Sequence, residues 1–255
     1  MKKIHLVVLS LAFLTAIVGC GGDSAFPMNK RYWTPDDYHD VNSELTSLKY
    51  NEKELPNLDN PKTAAIFRKI ADTANFSIVA NDSQLGLKHR SQFMNDLFKE
   101  YRDLVSAYSL IDRKDKYQYP VEFVEILKFG LPMQVYYINT GNENILKDAD
   151  DPKADNVVSL LRQNREILVR NYDIYLDYIN YEDRFTEPAL ASYAGGIKDF
   201  FPALINNAAP DADYSDMLTK VENMLNKSKN QPIITQLQNI RDILKAKTNA
   251  PDKQQ

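Results

Sequence analysis

Few residues in this 255-residue chain could carry chemistry. Cysteine occurs once, at Cys20, and of three histidines only His39 and His89 lie beyond the apolar N-terminal stretch. A single cysteine excludes an intrachain disulfide, so packing alone must hold the fold. His39 follows Asp36 by three residues, a helical spacing that puts both on one face and could hold a cation. A di-iron bundle needs two Glu-x-x-His elements, and the sequence contains none. His89 lies between Lys88 and Arg90, whose charge disfavours a metal. Asp148, Asp150, Asp151 and Asp155 form an oxygen-rich stretch, but Pro152 and Lys153 stand where a calcium loop needs a ligand and a glycine. No metal and no cofactor is expected.

His-Glu-x-x-His, Gly-x-Ser-x-Gly and Gly-x-x-x-x-Gly-Lys-Ser/Thr are all absent, which removes the usual zinc protease, nucleophile-elbow hydrolase and P-loop readings. A pair of carboxylates placed by the fold stays open, because glycosidase chemistry needs no local motif. The distinctive feature is aromatic. Of 15 tyrosines, Tyr172, Tyr175, Tyr178 and Tyr181 recur every third residue. On a helix that step drifts by about 60° per repeat, so the four cannot all face one core. Either Tyr172 and Tyr175 are core while Tyr178 and Tyr181 cover a neighbouring helix, or the four present a binding face. They are the candidate binding residues. The net charge of −4 provides no positive field for nucleic acid.

The start of the chain is informative. Lys2 and Lys3 precede an apolar stretch from Leu6 to Val18, broken only by Ser10 and Thr15 and ending at Gly19-Cys20. That order is the grammar of a secretory signal, too short for a spanning helix. The ending Ile17-Val18-Gly19-Cys20 resembles the lipobox of bacterial lipoproteins, and the resemblance covers only this leader. It implies a signal peptide over 1–19, cleavage after Gly19 and lipidation of Cys20, whose acyl chains would anchor the protein to the bilayer. Gly21 stands where enteric lipoproteins retained at the inner membrane carry Asp. By that resemblance the outer membrane is favoured, with the body periplasmic or surface-facing.

Residues 20–33 read as a lipidated Cys and a flexible tether that cannot build a core. From Thr34 the prolines punctuate helices, with Thr34-Pro35-Asp36-Asp37 supplying an N-cap, a proline at the first position and two acids for the helix dipole. Apolar spacing predicts an all-α domain over 34–247, a single array of roughly eight helices rather than a simple up-down four-helix bundle. The expected helices cover about 35–48, a stripe from Ile66 to Ile78, Phe93 to Tyr108, 121–138 with a kink or break at Gly130 and Pro132, 152–181, 188–206, 214–227 and 231–247. Gly195-Gly196 permits either a close helix approach or a sharp break. The polar tail 248–255 reads as disordered.

These features support first a non-catalytic, membrane-anchored protein-interaction module with an envelope protein as partner, of the kind that immunity lipoproteins exemplify. The alternative is a glycan- or small-molecule-binding lipoprotein with a Tyr-lined groove, and third comes a carboxylate-dependent envelope hydrolase. An exposed aromatic patch would favour the first, a concave Tyr-lined pocket the second, and converging carboxylates of perturbed pKa the third.

Overall fold

The computed structural model describes residues 26–248; the leader, Gly19, Cys20 and residues 249–255 lie outside them. The described residues are all-α: α1 Pro35–Tyr50, α2 Ala64–Ile70, α3 Ala74–Ala80, α4 Leu87–Tyr108, α5 Pro120–Asp148, α6 Asp155–Asp177, α7 Glu187–Ala203, α8 Ser215–Leu225 and α9 Gln231–Thr248. A 3-10 turn, Tyr178–Arg184, follows α6, and a π turn, Leu204–Ala208, follows α7. Helix α5 is the centre: it packs on α3, α4, α6 and α7, while α1 lies on α4, and α9 pairs with α7 and α8. The reason is its sequence. Phe123, Val124, Ile126, Leu127, Phe129, Leu131 and Met133 are buried on several sides, so α5 can face neighbours all round.

Local signals set several boundaries. Thr34 caps α1 as expected, with its hydroxyl accepting from the Asp37 N–H at 3.3 Å while Asp37 Oδ2 accepts from the Thr34 N–H at 2.9 Å. Burial raises the Asp37 carboxyl, but the Lys30 ammonium at 2.5 Å and the Thr34 donors outweigh it and hold the pKa below the ordinary value. The stripe from Ile66 to Ile78 is two helices, because Asp72 accepts from the Ala74 N–H at 2.9 Å and turns the chain between them. Pro132 does not divide α5: packing on several sides holds one helix through the hydrogen bond that proline gives up, and the helix runs on to Asp148. Residues 140–148, which fall between the expected helices 121–138 and 152–181, are therefore helical, and Asn142 on α5 accepts from Asn164 on α6 at 2.7 Å.

The tether is shorter than the sequence suggests. Phe26 and Trp33 belong to the core, with Trp33 only 1% exposed. The Trp33 indole donates to the Pro27 carbonyl at 3.0 Å, and its backbone N–H donates to Asn75 on α3 at 2.9 Å. A large aromatic side chain outweighs the flexible residues around it, so the body begins before Thr34.

At Gly195-Gly196 helix α7 continues without a break. A Cβ on Gly196 would lie 2.3 Å from the Tyr175 hydroxyl, whereas nothing lies within 4 Å of one on Gly195. Gly195→Ala is expected to gain up to about 1 kcal/mol from helix propensity, and Gly196→Ala to lose about 1–3 kcal/mol from overpacking. Urea melts of the two variants check this, and equal effects at the two positions would refute the close α6–α7 approach.

Candidate functional site

Helices α4 and α6 both lie on α5, and both run antiparallel to it. On the α4 side Phe98 stacks on Tyr137 at 4.9 Å, and the Tyr101 phenol lies where a Cβ on Gly130 would meet it at 2.1 Å. On the α6 side the Tyr172 hydroxyl donates to the Leu131 carbonyl at 2.7 Å, and Tyr178 meets Phe123 edge to face at 5.2 Å. As numbers rise along α4 and α6 they fall along α5. The two outer helices thus form parallel walls over an α5 floor, leaving a cleft of about 250 Å³ between them.

Its floor is Leu127, Leu131 and Gln134; one wall is Phe98, Tyr101, Arg102 and Val105, and the other Asn171, Ile174, Tyr175 and Tyr178. The walls are largely apolar, with a few polar groups among them. Among the described residues, Gln134 Oε1 has no hydrogen-bond partner although Gln134 is only 6% exposed. A buried carbonyl oxygen left alone costs free energy, and folded chains rarely leave one so. Arg102 is the only charged residue in the lining, and no carboxylate stands beside it there. Burial raises the Tyr101 phenol, and the nearby Tyr178 raises it further. Tyr101 therefore stays neutral near pH 7 and can donate or accept.

The four candidate tyrosines have separate fates. Tyr172 and Tyr175 are core: Tyr175 stacks on Tyr193 at 4.4 Å and donates to its carbonyl at 3.2 Å, while the Tyr193 hydroxyl donates back to the Tyr175 carbonyl. Tyr175 also forms part of the cleft wall, and Tyr178 is its half-buried end. Tyr181 is 45% exposed outside the cleft, under the Arg184 guanidinium at 4.5 Å. Only two of the four therefore meet in one place. Tyr101, Arg102 and Gln134 went unnoticed as site residues because Tyr101 and Arg102 lie on α4 and Gln134 on α5, with no local spacing that links them. The nearest signal was Gly130, read as a helix breaker when its role is to let Tyr101 lie against α5.

Two clusters of charged groups could have suggested catalysis. Lys128 reaches Glu125 at 3.1 Å and Ser192 on α7 at 3.0 Å, and Ser192 donates to Glu125. All three groups satisfy one another across α5 and α7, so no free base faces an open site. Lys220 on α8 bridges Asp173 and Asp177 on α6, the second at 2.8 Å. Burial pushes Asp173 above the ordinary carboxylate value even though the Lys220 hydrogen bond opposes it. The lysine fills the space between the two carboxylates, so they do not converge on a substrate volume. His39 turns to Glu100 at 3.4 Å rather than pairing with Asp36 for a cation. No group of three or more His, Cys, Asp or Glu among the described residues could hold a metal ion, and no described helix is long and apolar enough to cross a membrane. Comparison of the chain with protein-family models, with curated proteins and with solved structures finds no match.

Proposed function

We propose that this chain is a lipid-anchored protein of the bacterial envelope whose helical body binds a small, largely apolar ligand in the cleft between α4, α5 and α6. The observation that carries the reading is the cleft itself: concave, largely apolar and walled by Tyr101, Tyr175 and Tyr178. It favours ligand binding over the envelope-protein partner, since the exposed aromatic side chains among the described residues, Tyr50 and Tyr181, stand on separate elements rather than in one patch. The anchor rests on the resemblance of Ile17-Val18-Gly19-Cys20 to a lipobox, and the preference for the outer membrane on Gly21 in place of the Asp of retained lipoproteins.

Two readouts test the parts separately. Cys20→Ser is expected to move the protein from the membrane fraction to the supernatant, and a variant that stays with the membrane overturns the anchor. For the body, the full chain is purified gently from membranes and weighed by native mass spectrometry. The expected result is a small molecule carried by the wild type and lost from Ile174→Trp, whose new ring closes the mouth from a position 50% exposed and so does little to the fold. A dominant co-purifying polypeptide with an empty cleft would instead support the interaction module.

A further inference from the structure

Exposed apolar side chains are not spread evenly over the helices. Of the eleven large ones among the described residues, Val158, Leu160, Ile167 and Ile174 stand on α6, and no other helix carries more than one. We propose that Leu160, Ile167 and Ile174 form a seam through which α6 pairs, in parallel, with α6 of a second copy of this chain. The proposal does not depend on what the cleft binds.

Spacing identifies the occupant as a helix. The three residues recur every seven, and each repeat drifts by only about 20° on an α-helix, so they make one stripe about 21 Å long. Each is exposed. Half-buried Asn164 and Asn171 fall four residues after Leu160 and Ile167, which completes the alternation of fours and threes by which one helix packs along another. The stripe widens onto α5. Asn142 meets Asn164, so one turn further along this antiparallel pair the exposed Leu146 comes beside Leu160. The two amides then select the partner. A bilayer or a wholly apolar helix would cover them without offering a hydrogen bond, and an antiparallel copy would set them against isoleucine and leucine. A parallel copy sets Asn164 against Asn164 and Asn171 against Asn171. An amide carries two N–H donors and an acceptor, and Asn164 spends one donor on Asn142, so each can answer its own counterpart. Paired asparagines in an apolar seam fix the register of two helices. Such a two-fold contact closes at the dimer and leaves no open end for further copies. The stripe is shorter than a standard interface needs, so the pair is weak in dilute solution and forms where the chain is concentrated.

Because the chain has one cysteine, Cys20, introduced thiols report the seam directly. Leu160→Cys, Ile167→Cys and Ile174→Cys are produced singly in the full chain at low level and oxidised in whole cells. Wild type is the blank for Cys20. Val158→Cys is the control, since it is as exposed as the others but lies about 160° round the helix from Leu160. Each of the three is expected to give a disulfide-linked band of two chains several-fold above blank and control, because facing positions of a parallel pair lie within disulfide reach. Adding Ile167→Glu should abolish the links of Leu160→Cys and Ile174→Cys. Its urea midpoint should stay unchanged, since Ile167 is exposed, and ligand retention should persist, since Ile167 does not line the cleft. Links no stronger than at Val158→Cys, or links that survive Ile167→Glu, would overturn the proposal. So would a link to a polypeptide of another mass, or links formed only when Leu160→Cys and Ile174→Cys chains are mixed, the mark of an antiparallel pair.

Discussion

Trp33→Ala is expected to cost about 3–5 kcal/mol of folding stability, as much as removing any ring from the centre of the domain. The residue precedes the first helix, in a stretch whose composition reads as tether, yet its side chain is buried and meets Tyr38 edge to face at 5.7 Å. Truncation leaves a large cavity, removes the indole bond to the Pro27 carbonyl and frees the segment that Phe26 also pins to the core. Tyr32→Ala is the control: that ring is half-buried under Lys69 and Arg31 and should cost well under half as much. Urea denaturation of both variants decides. A loss below about 1 kcal/mol for Trp33→Ala would mean that residues 26–33 are a tether after all.

Phe129→Ala is expected to cost a similar amount, about 3–5 kcal/mol. Phe129 is the ring through which α5 meets three other helices: Tyr38 of α1 at 6.0 Å, Phe76 of α3 at 5.2 Å and Tyr101 of α4 at 6.4 Å. No rearrangement of one neighbour fills a gap that three elements share, so the cavity persists. Because Tyr38 touches both Phe129 and Trp33, the two losses should not add. The double variant should fall short of the sum by about 0.5 kcal/mol or more, and strict additivity in urea melts would show that Tyr38 does not couple the two sites. Loosening Tyr101 also predicts a weaker cleft, so Phe129→Ala should reduce ligand retention out of proportion to the fraction unfolded.

Fold class and most helix boundaries are legible in the chain alone. Helical spacing in α4 and α9 and the Thr34-Pro35-Asp36-Asp37 cap of α1 are local properties, decided by residues within a turn of one another, and local properties are legible in a chain. Its expectation for the leader, with Cys20 as anchor, is likewise a local pattern. Tertiary structure decided the rest. Pro132 sits inside one helix because neighbours on several sides of α5 hold it there, and Trp33 is core because Tyr38, Pro27 and Asn75 receive it. The Tyr172–Tyr181 series was visible, but which rings face a neighbour depends on the register of α6 against α5 and on its end at Asp177. The cleft has no local signature at all. Arg102, Gln134 and Tyr178 come from three elements, and they share a volume only because α4 and α6 stand apart on α5, a spacing set by interhelix packing that no stretch of sequence contains.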